Sequence, residues 1–314
     1  MKTTARRATL PAIIVAVVIV VAVVIAATNM GSAKADKPSS VPVKQATQTG
    51  VTVYQNEKAS VDASNLSEGY VMVKYTGGKS VTIKVQIAKS GSATTYTYNL
   101  NNAGTVETFP LTEGDGSYSI KIFENTSGTA YAQAYATTVT MKLRNNFLPF
   151  LYANQYVNFT TSSAVVTQAS TLCTGLTLDK DKLTNIYNYV VDNFTYDYTL
   201  ASTVQSGYLP KVDSVLAAKK GICFDYAAVM TAMLRAQNIP CKLVVGYTSV
   251  DGQPVYHAWV NAYLDEQGWV DQVIFFDGTS WTLMDPTFVS TGKGSEAALK
   301  FVTTSSNYSQ VYAY

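Results

Sequence analysis

Three residues that can serve as a nucleophile, a base and an orienting acid occur in order along the second half of the chain: Cys223, His257 and Asp285. Cys223 lies in Gly221-Ile222-Cys223-Phe224-Asp225-Tyr226-Ala227. Behind it, Ala227, Met230, Met233, Leu234 and Gln237 follow the three-and-four spacing of one helix face, and Asn238 and Pro240 end the pattern. The thiol therefore falls in the first turn of a mostly apolar helix. A shorter helical stretch over residues 212–220 precedes it, and Gly221 is read as the left-handed residue that closes that stretch. A free thiol, with a pKa of about 8.5, is only ~3% thiolate at neutral pH. The unpaired N–H groups of a helix start, and a neighbouring imidazolium, both favour the thiolate.

The chain supplies one imidazole, His257, in Pro254-Val255-Tyr256-His257-Ala258-Trp259-Val260. That run reads as a strand after the Asp251-Gly252 turn. Asp285, in Leu283-Met284-Asp285-Pro286-Thr287, ends another short strand. A Cys on a helix start, a His on one strand and an Asp on a neighbouring strand suit nucleophilic acyl transfer through a thioester. Asp225, two residues beyond the thiol, would oppose a thiolate by like charge and is read as structural, complementing the helix dipole.

These segments resemble the transglutaminase-like domain, a papain-like fold with a Cys-His-Asp triad in that chain order. The resemblance rests on Gly221-Ile222-Cys223-Phe224-Asp225-Tyr226-Ala227, on Asn238-Ile239-Pro240 leading to Val244-Val245-Gly246-Tyr247, on His257-Ala258-Trp259-Val260 and on Asp285-Pro286-Thr287. Asn193-Phe194-Thr195-Tyr196-Asp197 is similar to the family's pre-catalytic segment. The resemblance covers residues 178–288 and implies Cys223, His257 and Asp285 as the triad, with no cofactor and no metal. Tyr196 and Tyr198 are candidates for lining the oxyanion site, and Trp259 for a wall of the cleft. One departure from the pattern, a longer stretch over residues 269–276, predicts an added hairpin beside the cleft.

The elements that must position this chemistry are legible to different degrees. Leu183, Ile186, Tyr187, Val190, Val191 and Phe194 predict an amphipathic helix packed on the catalytic one, with Thr177 or Asp179 as its cap. Before it, Phe147-Leu148-Pro149-Phe150-Leu151-Tyr152 is expected to join two domains. Residues 50–145 alternate with period two, as in Ile83, Val85 and Ile87 or Tyr118, Ile120 and Ile122, and glycine-rich turns separate the runs. The expectation is an all-β, Ig-like sandwich of about seven strands ahead of an α+β catalytic domain over 146–314. The sandwich is read as a spacer in preference to a carbohydrate-, peptide- or wall-binding module. In the tail, one last helix or strand is expected over residues 297–302.

Lys2, Arg6 and Arg7 precede an apolar run over residues 12–27, and Ala33-Lys34-Ala35 offers a cleavage site. Residues 1–35 are thus expected to be a signal peptide or a membrane anchor, followed by a linker over 36–49, with the rest exported to the cell surface or beyond. Of the 23 basic and 21 acidic residues, four basic and no acidic ones fall in 1–35, leaving the remainder at about −2. No basic patch with interleaved aromatics appears, which argues against nucleic acid as a partner. The expected partner is a protein or peptide substrate, including cell-wall or surface proteins. Hydrolysis is favoured over transamidation because water needs no dedicated site. The rival expectation is a non-catalytic surface protein with a relic triad, in which the sandwich does the binding. Cys173 and Cys241 are either a disulfide that leaves Cys223 unpaired or two buried thiols.

Overall fold

The computed structural model describes residues 43–250, 253–271, 274–276, 281–283 and 308–314. The N-terminal apolar run, Asp285 and the segment expected to hold a last element over 297–302 lie outside the described residues.

The first part is built of β1 (Val53–Gln55), β2 (Ala59–Asp62), β3 (Tyr70–Tyr75), β4 (Ile83–Lys89), β5 (Thr95–Leu100), β6 (Glu107–Pro110), β7 (Gly116–Ser127) and β8 (Ala130–Met141). They form two antiparallel four-stranded sheets, ordered β1-β2-β3-β6 and β5-β4-β7-β8. The alternation works as expected. Ile83, Val85 and Ile87 of β4 and Tyr118, Ile120 and Ile122 of β7 point inward and are buried, each apolar side chain contributing about 1.5–3 kcal/mol. There are eight strands instead of seven, because β1, β2 and β6 are too short to show a period.

At one inward position β7 carries an acid. Glu124 is buried, and its carboxylate accepts from the Tyr75 hydroxyl (2.7 Å), Lys79 (2.7 Å) and Lys58 (3.1 Å). These donors, Lys79 foremost, hold its pKa down to about 2 against the upward pull of burial. The buried acid thus has a full set of partners.

The second part contains a 3-10 turn at Leu148–Phe150, then α1 (Ala164–Leu172), α2 (Asp179–Asn193), β9 (Thr195–Tyr196), α3 (Tyr198–Thr203), α4 (Val212–Ala218), β10 (Lys220–Gly221) and α5 (Cys223–Ala236). The strands β11 (Cys241–Val250), β12 (Gln253–Leu264), β13 (Gly268–Val270), β14 (Ile274–Phe276), β15 (Trp281–Leu283) and β16 (Tyr308–Ala313) follow. The molecule is α+β. One sheet has the order β13-β12-β11-β16. β9 and β10 pair in parallel, and β14 and β15 form an antiparallel hairpin. That hairpin begins inside the longer stretch that distinguishes this chain from the family pattern.

Helix α5 is the hub. Every residue from Asp225 to Arg235 is buried, which is the signature of a helix covered on all sides. α1, α2, α4, β11 and β12 all pack on it. The contact with α2 includes Phe194 against Tyr226, at 5.6 Å between ring centroids. The expected caps of α2 are replaced: its N-cap is Leu178, and the Asp179 N–H donates to the Glu266 carboxylate at 3.0 Å. A remote acid in the β12–β13 turn thus does the work assigned to a local one.

The sandwich and the helical part share one continuous apolar core. Tyr96 and Tyr98 of β5 meet Tyr314 at 5.6 and 5.8 Å, and Tyr98 stacks on Tyr156 at 5.8 Å. Tyr70 meets Tyr152 at 4.9 Å. Arg235, in the last turn of α5, is buried and donates to the main-chain oxygens of Cys241, Tyr152 and Tyr314 at 2.6–3.0 Å.

The Glu124 cluster fixes a pH dependence. Its folded pKa lies below the unfolded value, so its stabilisation is present above about pH 4.5 and is lost as pH falls towards 2. Glu124→Gln should lower stability near neutral pH by about 1–2 kcal/mol, since the half-exposed lysines are screened by solvent. The gap to wild type should shrink as the pH falls from 5 to about 2 in urea unfolding. A gap that does not change with pH would exclude this role.

Candidate active site

The start of α5 is set by the strand before it. Gly221 of β10 lies opposite Tyr196 of β9, and its carbonyl accepts the Asp197 N–H at 2.8 Å. Gly221 does not close α4. Lys219 does so, in a left-handed conformation (φ 50°), with its N–H on the Val215 carbonyl. The reason for glycine at 221 is space: a Cβ there would stand 2.6 Å from Cβ of Asp225 and 2.9 Å from its Oδ2.

Ile222 is the N-cap of α5, in extended conformation (ψ 176°), and Cys223 is the first helical residue. The Ile222 side chain has no acceptor to offer, so the first-turn N–H groups receive no side-chain cap. The Ile222 carbonyl accepts the N–H of Asp225 (2.9 Å) and of Tyr226 (3.1 Å). Asp225 reaches back. Its Oδ2 accepts the Ile222 N–H at 2.9 Å, and its Oδ1 accepts the Tyr208 hydroxyl at 2.8 Å. Burial pushes the Asp225 carboxyl above its usual range, against those two hydrogen bonds, and Asp197 adds to the rise. Asp225 is therefore a structural acid tied to the helix start. Among the described residues, no acceptor is recorded for the N–H groups of Cys223 and Phe224.

Cys223 is half-buried. Two phenols lie within electrostatic reach of it. Burial pushes Tyr196 up to about 12, and the nearby Cys223 charge contributes to that rise. Tyr256 is raised by burial, then by Tyr312, Tyr247 and Cys223. Phe224 packs on Tyr156 at 5.5 Å, tying the site to the core shared with the sandwich.

His257 is buried on β12, opposite Gly246 of β11. Ala258, Val260, Ala262 and Leu264 belong to the core that includes α5, whereas Trp259 clusters with Val244, Ala313 and Tyr308. By the period of the strand, Tyr256 shares the α5 side and His257 the Trp259 side. The His257 ring lies 6.5 Å from both Trp259 and Tyr308. β13 pairs only with Ala262–Leu264, so among the described residues the edge of β12 around Tyr256 and His257 is not covered by a further strand. Gly246 is again a matter of space: a Cβ would fall 2.0 Å from the Ser309 carbonyl oxygen and 2.9 Å from the Trp259 ring, so glycine lets β16 close against β11.

The structure thus places Cys223 and His257 on packed elements, α5 and β12. Tyr196 lies within electrostatic reach of the thiol, and Tyr198, 70% exposed, meets the Tyr196 ring edge-on at 5.0 Å. Trp259 is buried on the far side of β12. Asp285 lies outside the described residues. Sequence reasoning missed Tyr208 and Tyr256. Tyr208 sits in a loop without a periodic signal, but Tyr256 directly precedes the single histidine and was readable from that.

The family model for the transglutaminase-like superfamily matches residues 166–272. The chain carries a transglutaminase-like domain. It is 28% identical to the uncharacterized protein YebA of Bacillus subtilis over 191 residues, 54% of this chain and 25% of YebA. It is 34% identical over 68 residues to a protein-glutamine gamma-glutamyltransferase of Pseudomonas aeruginosa, covering 18% of this chain and 10% of that protein. The chain thus spans a quarter or less of the length of these relatives. A Cytophaga hutchinsonii protein solved as a candidate cysteine protease aligns over 84% of this chain and 74% of its own, at 14% identity and a TM-score of 0.39.

The three cysteines, all free, differ in a way that labelling can read. Burial pushes Cys173 up to about 11 and Cys241 up to about 12. Iodoacetamide applied to the native protein near pH 7.5 should modify Cys223 at least ~100-fold faster than either, as read by peptide mapping, because thiolate and access are both required. Comparable rates at all three would contradict the site.

Proposed function

We propose that this chain is an exported thiol acyl-transfer enzyme acting on carboxamide or peptide bonds of proteins and peptides, cell-wall or surface proteins among them. The observation that carries the reading is the position of Cys223: first residue of a largely buried helix, half-exposed, with no acceptor for its own N–H among the described residues. In this reading the thiolate attacks the carbonyl carbon, and the Cys223 N–H receives the developing oxyanion. The C–N bond breaks, and His257 passes a proton to the leaving amine. A thioester remains on Cys223. Water, deprotonated by His257, then attacks the thioester, releasing an acid and the free thiol. Asp285 is assigned to hold the imidazole by the sequence resemblance. Hydrolysis, as a cysteine peptidase or amidase, is the favoured outcome, since water is always present and an amine acceptor needs a site of its own. The similarity to a protein-glutamine gamma-glutamyltransferase supports transamidation as the second reading.

The test is intact mass spectrometry. The chain and its Cys223→Ala variant are incubated with glutamine-containing protein substrates, with and without a primary amine. Cleavage or deamidation without amine uptake, lost in the variant, is the expected result. An amine-dependent mass gain would move the assignment to transamidation. No change with any substrate under reducing conditions would sink the enzymatic reading.

A further inference from the structure

Helix starts favour a polar N-cap, because four N–H groups there lack intrahelical partners. α5 has isoleucine there, 7% exposed, with no side-chain cap. The acid that could satisfy those groups stands at the third helical position and faces backwards. One carboxylate oxygen takes the Ile222 N–H and the other takes the Tyr208 hydroxyl. Gly221 provides the space for that carboxylate. The N-cap amide is thereby satisfied, while the N–H groups of Cys223 and Phe224 are left without a recorded acceptor.

We propose that Asp225, anchored by Tyr208, is a positioning residue that fixes the first turn of α5 so that the Cys223 and Phe224 N–H groups stay open towards the reacting sulfur and carbonyl. Apolar Ile222 belongs to the same device, since a side-chain acceptor there would compete for the Phe224 N–H. The proposal rests on the reading of Cys223 as the nucleophile. The titratable groups around this turn are Tyr196 on β9, Asp197 paired with Lys220 of β10 at 3.3 Å, Tyr208 before α4, and Tyr256 on β12. None of these is altered in the Asp225 and Ile222 variants below.

The test is the pH profile of Cys223 alkylation by iodoacetamide in the full chain, read by peptide mapping beside a thermal melt. Wild-type Cys223 must first outpace Cys173 and Cys241, and failure at that step strikes the nucleophile reading itself. Asp225→Ala should then slow Cys223 by about tenfold near neutral pH and move the profile to higher pH, because the aligned N–H groups no longer favour the thiolate. Asp225→Asn keeps an acceptor for the Ile222 N–H and can donate to the Tyr208 oxygen, so it should stay within about threefold of wild type. Should Asp225→Ala fail to fold, Ile222→Val and Ile222→Thr form a matched pair of equal shape. The threonine hydroxyl is placed to take the Phe224 N–H, and it should slow alkylation several-fold relative to valine. A wild-type profile in Asp225→Ala, an equal loss in Asp225→Asn and Asp225→Ala, or equal rates in the Ile222 pair would overturn the proposal.

Discussion

The hydrogen bond from the Ile222 N–H to the Asp225 carboxylate is the interaction on which the site depends. It is short in sequence and buried, and it closes the N-terminal turn of α5 from behind. A cap in the usual place would stabilise the helix by about 1 kcal/mol and would draw on the Phe224 N–H next to the one that an oxyanion needs. α5, whose start carries a half-exposed thiol, does without that cap, as α1, α2 and α4 also do. The glycine before the N-cap, the tyrosine from the preceding loop and the acid at the third position each follow from this one arrangement.

The rest of the fold holds that helix still. α1, α2, α4, β11 and β12 pack on α5, and its far end is pinned by Arg235, a buried cation whose partners are the main-chain oxygens of Cys241 and of two distant residues, Tyr152 and Tyr314. Tyr152 and Tyr314 also contribute their rings to the contact with the sandwich. Phe224, next to the thiol, stands on Tyr156, which stands on Tyr98 of β5. Packing this continuous transmits displacement in place of absorbing it. The sandwich is therefore built into the support of the site, whatever it also does outside.

Much of this was legible before any coordinates. Period two marks β4, β7 and β8, and period 3.6 marks α2 and α5, because each buries one face or all faces against a core. What escaped depends on partners distant in sequence. Glu266 caps α2 from 87 residues away. β16 is a short tyrosine-containing run whose role as a fourth strand depends on Gly246 leaving room for it. Gly221 was misread because a glycine after a helix has two physical uses, a left-handed cap and a close approach, and only the position of Asp225 separates them. Tyr208 has no pattern at all, and its hydroxyl matters because of one carboxylate 17 positions on.

The central claim is that the Cys223 thiol and the His257 imidazole act as a pair. Strand alternation puts Tyr256 on the α5 side of β12 and His257 on the other, so the pair is a claim to be tested on the imidazole itself. The chain has one histidine, so a single imidazole signal reports on it without assignment. Long-range proton–nitrogen NMR of that ring, titrated from about pH 5 to 9, should be recorded for wild type and Cys223→Ala. If the two groups share a proton, the wild-type imidazolium should persist to a pH about one unit or more higher than in the variant, because a thiolate beside it favours the charged form. Superimposable titrations would show that the ring does not sense the sulfur, and the paired mechanism would fall.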